Sequence, residues 1–381
     1  MGLPLGLAFA DRGLRVTLFD INPAAVDRVN AGGMPFDEPG GPEVMARVAG
    51  RTLDATTDPA SVALAEHVVV VVGTPVDEHL NPKPQAVPDA VAALAPYLRD
   101  GQLLVLRSTL YPGVTAMVER LVASLGVDAD VAFCPERIAE GKAMTELYEL
   151  PQIVAARTER ATDRSAKLFR ALTAQVVPLD PEEAELAKLF TNTWRYIRFA
   201  IANQLYMIAN DFGLDFERIR GAMAYDYPRA ADLPGAGFAA GPCLLKDTMQ
   251  LAAFNNNNFT LGHAAMMVNE GLPLYVVHRL EQRFDLATMT VGILGMAFKA
   301  ESDDTRDSLS YKLKRILRFK AAGVLTTDPH VRSDPDLLPL DDVLGRADVL
   351  VVGAPHQAYA GLKPRQPVVD IWDLYGNGVV V

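Results

Sequence analysis

The chain has 381 residues, half of them apolar, and its 36 Lys and Arg against 47 Asp and Glu leave a formal net charge of −11. Single cores stop growing at about 250–300 residues, so more than one domain is expected. The acidity argues against a nucleic-acid partner, which selects a basic surface. No stretch approaches the roughly 18 uninterrupted apolar residues of a membrane span, and no charged segment followed by an apolar one opens the chain, so it reads as cytoplasmic and without a membrane partner. Cys134 and Cys243 are too few for a disulfide framework, and each calls for an explanation as packing or as chemistry.

From Gly2 to Asp11 an apolar helical pattern runs into Arg12 and Gly13, a cationic last turn followed by the residue that most easily takes the left-handed cap. Leu14 to Phe19 is apolar and β-rich and ends at Asp20, as in the second strand of a dinucleotide-binding unit whose acid meets a ribose hydroxyl. His67 to Val72 and Leu103 to Leu106 are further buried strands, with helical stretches between them; such alternation predicts a parallel sheet. A dinucleotide unit also needs a first, central strand and a glycine-rich turn, and of that fingerprint only Gly2 is present. The first strand is therefore expected upstream of Met1, with Met1 standing where a valine codon was read as an initiator.

Asp180-Pro181-Glu182-Glu183 opens a long helix that can run to about Phe212 before Gly213: Asp caps, Pro suits the first helical position, and Glu183 is the third. Its length predicts a connector that also packs against a second subunit. The last third repeats the first in outline. After the strand-like Val291 to Gly295, Val324 to Asp328 and Val349 to Pro355 follow the order of Gly13 to Asp20 and Val68 to Pro75, which predicts a second Rossmann-like domain. The fold expected is α/β, two Rossmann-like parallel-sheet domains joined by a central helical domain. Its boundaries are 1–178 for the N-terminal domain, 179–284 for the helical one and 285–381 for the C-terminal one.

Cys243 follows a run of small residues, Gly235 to Pro242, and precedes Lys246 and Asp247. A lone thiol is more often a buried apolar group. Packing, however, calls for neither a glycine-rich approach nor a cation and an acid just beyond the thiol, whereas a nucleophilic sulfur benefits from both. Lys188 and Asn192, four residues apart, share one helical face.

Several motifs in this order are similar to the UDP-glucose/GDP-mannose dehydrogenase family: Gly2-Leu3-Pro4-Leu5, Ser108-Thr109, Cys134-Pro135-Glu136-Arg137, Lys188 with Asn192, Gly241 to Asp247, Phe298-Lys299, and Asp303 to Arg306. The resemblance implies an NAD-dependent oxidation of the C6 alcohol of a UDP-hexose to a carboxylate, with glucose and the N-acetylhexosamines as leading substrates, by an intertwined homodimer. Four electrons leave the alcohol, so the aldehyde must be held and oxidised again. Cys243 would trap it as a thiohemiacetal that becomes a thioester.

The resemblance further assigns Lys188 and Asn192 to the developing oxyanion, Asp247 to the hydrolytic water, Glu140 to general-base catalysis, and Thr109 to a water or the nicotinamide. It places Glu136, Arg137, Glu140, Lys188, Gly235, Gly237, Phe238, Phe298 and Lys299 around the nucleotide sugar, with backbone donors of the Gly235 to Phe238 loop on the diphosphate. Arg229 would cross into the partner subunit's site. Gly2, Asp20, the turn Gly73-Thr74-Pro75, Ser108, Thr109 and Arg306 would line the cofactor, and the Asp20 carboxylate favours NAD over NADP by repelling a 2′-phosphate. Cys134, before Pro at a strand end, reads as packing, and the six histidines show no ligand spacing, so no metal is predicted. Leu245, where many members carry Pro, and Ala239-Ala240 suggest a loop shaped for a different sugar. The rival reading is a non-catalytic nucleotide-binding protein, or an inactive remnant of this family.

Overall fold

A computed structural model describes residues 1–376, and the chain divides into two compact units, Met1–Thr191 and Asn192–Val381. No helix among the described residues is long and apolar enough to cross a membrane.

The first unit holds seven strands: β1 (Val16–Phe19), β2 (Leu53–Thr56), β3 (His67–Val70), β4 (Leu103–Leu106), β5 (Asp130–Phe133), β6 (Gln152–Ala156) and β7 (Val176–Leu179). β1 pairs in parallel with β2, while β3 to β7 form a separate five-stranded sheet in chain order. The expected parallel pattern is broken once, where β5 and β6 run antiparallel. β4 is Leu-Leu-Val-Leu with every residue buried, the continuous apolar run of a strand covered on both faces.

The helix Gly2–Asp11 packs against both sheets. Leu5, Ala8 and Phe9 join a core with Leu103, Val105 and Ala132 of the larger sheet. Leu7 and Ala10 join another with Val44, Met45 and Leu53 beside the smaller one. A helix apolar on both sides is what such double burial requires. It ends as its sequence suggests, with Gly13 at φ +86°.

The helix Pro181–Asp211 carries the boundary between the units. Its start is a capping box in part, the Glu183 carboxylate accepting the Asp180 N–H at 3.0 Å.

In the second unit the helices Phe216–Ala224, Leu244–Phe254 and Thr260–Arg283 precede a four-stranded parallel sheet. Its strands are β8 (Thr290–Leu294), β9 (Gly323–Thr327), β10 (Val349–Val352) and β11 (Val368–Val369), in the order β11-β10-β8-β9. β8 thus lies between β9 and β10. In the first unit β1 and β3, which correspond to β9 and β10 in chain order, belong to separate sheets. Sequence pattern separates a helical middle from a second sheet domain, but Tyr206, Phe216, Leu272 and Val276 share one core with Ile293, Leu313 and Val351. Helices and sheet bury their apolar faces on each other, which makes them one compact unit.

Candidate active site

Within Met1–Thr191 Asp20, the Gly73 turn, Ser108, Thr109 and Glu136 follow the C-terminal ends of strands, where open α/β sheets bind ligands. Asp20 is exposed at the end of β1, and its Oδ1 accepts the Asn22 N–H at 2.9 Å. A Cβ placed on Gly73, in the turn after β3, would meet nothing within 4 Å, so the turn with Thr74 and Pro75 opens onto space. An exposed acid follows β1, and a glycine with open space beside it follows β3. Gly2 stands at the first turn of its helix, with Val71 3.7 Å from where its Cβ would be.

Ser108 is engaged within the fold. Its hydroxyl donates to the Val72 carbonyl at 2.7 Å and accepts the Val72 N–H at 2.8 Å, which ties the loop after β4 to the loop after β3. The next residue, Thr109, is half-buried. Behind it, buried Glu185 accepts from the Gly113 and Thr115 N–H groups at 2.6 and 2.8 Å and from the Thr115 hydroxyl at 2.6 Å. Glu185 thereby satisfies orphan donors at the start of the helix Val114–Ser124 and fixes the Thr109 loop from the long helix.

Glu136 is likewise engaged within the fold. Its Oε2 receives Nη2 and Nε of Arg107 at 2.7 and 3.1 Å, and its Oε1 the N–H groups of Arg137 and Ile138 at 2.8 and 3.1 Å. A carboxylate so held shapes its own loop. Arg107 is 1% exposed and also donates to Cys134 O and Gln152 Oε1, both at 2.9 Å, with its guanidinium 4.7 Å over the Phe169 ring. Arg137 likewise turns inward, donating to the Pro151 carbonyl.

Buried Glu38 accepts the Gly141 and Ala143 N–H groups at 3.1 and 2.8 Å, and Glu146 the Ala139 N–H at 2.6 Å. Arg107, Glu38 and Glu146 together set the path of the loop that carries half-buried Glu140. Nothing in local sequence marks Glu38, which lies 103 residues from Gly141. Cys134 is fully buried, and burial pushes its thiol up to about 12, as a packing role requires. Lys188 is buried on the long helix.

Within Asn192–Val381, Cys243 is exposed at the N-terminus of the helix Leu244–Phe254, the end of a helix that best accommodates a negatively charged sulfur. One turn on, fully buried Asp247 donates its N–H to the Cys243 carbonyl at 2.9 Å. Its two carboxylate oxygens meet Asn192 Nδ2 at 2.6 Å and Lys246 Nζ at 2.5 Å. The fold thus joins directly two residues that motif matching assigns separate tasks.

Gly241 has φ +97°, and a Cβ there would lie 2.5 Å from the Phe298 ring, so Phe298 packs over the approach to the thiol. Lys299 Nζ lies 5.5 Å from that ring's centroid. The Gly237 N–H, expected on a diphosphate, is instead held by Asn203 Oδ1 at 2.9 Å. Arg306 pairs with Asp304, its Nε 3.0 and 2.9 Å from the two oxygens. Arg229 is exposed, with its guanidinium 4.9 Å over the Tyr227 ring.

Two histidines without ligand spacing in sequence do converge. Glu301, His330 and His356 bring a carboxylate oxygen and two ring nitrogens within 4.8 Å of one another. His356 Nδ1 accepts the Glu301 N–H at 3.0 Å, so its other nitrogen donates to Asp328 Oδ2 at 3.1 Å. That lone pair is therefore already used in the fold. Asp328 ends β9 as Asp20 ends β1, but its oxygens accept from the N–H groups of Met296, Ala297, His330 and Val331. The acid that could take a ribose in the second sheet instead holds the turn leading to Phe298.

Largely parallel α/β sheets in both units, an exposed thiol at a helix N-terminus and the match to a dehydrogenase family make this an α/β oxidoreductase that uses a dinucleotide. The chain belongs to the UDP-glucose/GDP-mannose dehydrogenase family: residues 1–173 match its NAD-binding domain, 182–271 its central domain and 292–377 its UDP-binding domain. Its cofactor is NAD. A UDP-N-acetyl-D-mannosamine dehydrogenase of Yersinia pestis is 29% identical, covering 100% of this chain and 96% of its own length. The structure of a UDP-D-ManNAc dehydrogenase from Pyrococcus horikoshii superposes with a TM-score of 0.91 at 26% identity, over 100% of this chain and 94% of that one. A UDP-glucose dehydrogenase from Pyrobaculum islandicum gives 0.89 at 29% identity, over 97% and 91%.

Proposed function

We propose that this protein is a nucleotide-sugar 6-dehydrogenase that oxidises the C6 alcohol of a UDP-hexose to the uronate through a covalent adduct on Cys243. The observation that carries the reading is the exposed Cys243 at a helix N-terminus, one turn from buried Asp247, which pairs with buried Asn192 and half-buried Lys246. NAD, when bound, accepts a hydride in each of the two oxidations. Asp20 and the Gly73-Thr74-Pro75 turn hold it, with Arg306 a further contact, while Ser108 shapes that turn from behind.

The Cys243 sulfur adds to the aldehyde carbon, and the aldehyde oxygen takes the proton the thiol gives up. Lys188 and Asn192 stabilise the oxygen as charge develops on it. After the second oxidation the adduct is a thioester. Water, with Glu140 as base and Asp247 orienting through Asn192 and Lys246, displaces the sulfur and yields the acid and the free thiol. Thr109 sits on the loop that Glu185 fixes and holds a water or the nicotinamide end. Phe298, Lys299 and the Gly235 to Phe238 loop receive the nucleotide sugar.

The UDP-N-acetyl-D-mannosamine dehydrogenases among its relatives favour an N-acetylated UDP-hexose over UDP-glucose. A homodimer completes the reading. Trp194, Ile201 and Ile208 form an exposed row at a spacing of seven on the long helix, and Met267 and Leu274 another on the helix Thr260–Arg283. Two apolar rows of this kind suit a second copy of the chain, whose site Arg229 then enters. The test counts NADH formed per molecule of UDP-N-acetylmannosamine, UDP-N-acetylglucosamine and UDP-glucose. Two per sugar with one of them, lost in Cys243→Ala, is the expected result. A folded, NAD-binding protein that forms no NADH with any of the three would leave a binding protein.

A further inference from the structure

The glycine-rich loop before Cys243 is gripped at one residue from two sides, both inside the Asn192–Val381 unit. Gly237 has φ +151°, a conformation few side chains share. The Asn203 side-chain amide brackets it, Oδ1 accepting the Gly237 N–H at 2.9 Å and Nδ2 donating to its carbonyl at 3.0 Å. Nδ2 of Asn203 also donates to Asn269 Oδ1 at 2.9 Å, and Asn269 donates to the Tyr196 carbonyl at 3.1 Å, so the amide cannot turn without breaking a buried network.

From the other side comes Trp372. A Cβ built on Gly237 would lie 2.2, 2.4 and 2.7 Å from three carbons of the indole, which therefore fills the space a side chain would occupy. The indole is itself fixed: Nε1 donates to the Val352 carbonyl at 3.1 Å, the Trp372 N–H goes to Asp370 Oδ1 at 3.1 Å, and Phe238 meets the ring edge-on at 6.3 Å between centroids. Val352 is the last residue of β10. The indole thus carries the position of the sheet to the loop six residues before the thiol.

A glycine needed only to fill a gap requires neither a dedicated amide nor an aromatic plane. Together they hold a single backbone path in a loop whose work, in the function proposed above, is done by its main chain. We propose that Trp372 and Asn203 are positioning residues for the nucleotide-sugar loop, acting through Gly237, and that Trp372 sets the affinity for the UDP-sugar. The inference rests on the proposed dehydrogenase function. Preorganisation of this kind acts on the ligand that the loop receives and leaves the cofactor, held mainly by Asp20 and the Gly73-Thr74-Pro75 turn of the other unit, little affected.

The test is steady-state kinetics of the full-length protein with the active UDP-sugar. In Trp372→Ala, KM for the UDP-sugar rises on the order of tenfold or more, while KM for NAD stays within about twofold. Trp372→Phe, which keeps a ring over Gly237, recovers most of the loss. If Trp372→Ala fails to fold, as judged by circular dichroism, Trp372→Leu and Asn203→Asp carry the same expectation. An unchanged KM for the UDP-sugar in folded variants, or an equal rise in both KM values, overturns the inference and leaves the dehydrogenase standing. A wild-type protein that oxidises no UDP-sugar refutes the function and this inference with it.

Discussion

Replacing Arg107 by methionine keeps an unbranched chain beside Phe169 but removes a buried cation. Glu136 Oε2 then loses both guanidinium bonds, at 2.7 and 3.1 Å, and the carboxylate keeps only the N–H groups of Arg137 and Ile138. The Cys134 carbonyl and Gln152 Oε1 lose their donors as well. Taking one partner from a buried ion pair costs about 3–5 kcal/mol, most of it from the charge left behind. For a unit the size of Met1–Thr191, each kcal/mol lowers Tm by roughly 2–4 °C, so the expected fall is roughly 6–20 °C. Urea unfolding followed by tyrosine fluorescence and circular dichroism gives the free energy, and calorimetry the Tm. The double variant Arg107→Met/Glu136→Gln, which removes both charges, should lose clearly less than the sum of the single changes. A loss below about 1 kcal/mol in Arg107→Met would refute the reasoning, since it would mean that Glu136 is hydrated or protonated in the folded protein.

Three other outcomes follow from the same geometry. In native protein a thiol reagent should modify Cys243 and leave Cys134 untouched, since Cys134 is buried with its thiol pushed up to about 12; denaturant should expose the second thiol, and fast reaction of both in native buffer would contradict the burial. Burial alone would raise the Asp328 carboxyl, but His356 and the Ala297 and Val331 N–H groups outweigh it and hold it well below the usual carboxylate range. Its folded value lies below the unfolded one, so its contribution is fully present above about pH 4–5 and lost as pH falls. Asp328→Asn should weaken the protein at pH 7 and flatten the loss of stability from pH 5 to 3 seen by urea unfolding, and an unchanged slope would count against the assignment. Ile201→Glu with Ile208→Glu puts charges into an exposed apolar row and should convert a dimer to monomers by light scattering while leaving secondary structure intact. A monomeric wild-type protein would remove the dimer from the proposal.

Much of the fold was legible in periodicity because it depends on local order. The helix before Gly13, the buried run Leu103–Leu106 and the capped start of the long helix each follow from residues within a turn or a strand of one another. Cys243 could likewise be singled out from its neighbours. Its partners could not be, because the bond from Asn192 to Asp247 spans 55 residues and the one from Glu38 to Gly141 spans 103. Family motifs name such residues without saying whether they face the ligand or the fold. Ser108 and Glu136 match the motifs, yet the structure commits their polar atoms to Val72 and Arg107.

Alternating apolar runs and glycine turns specify the elements, since each element has to bury its own face. Which buried carboxylate meets which cation, and which amide grips Gly237, depends on how distant segments pack. A polar group's partner is chosen by the space left when the apolar faces close, and no local pattern records that space. Trp372 is the clearest case: in sequence it is one aromatic residue near the C-terminus, and in the folded chain it is the surface against which the loop before the thiol is set.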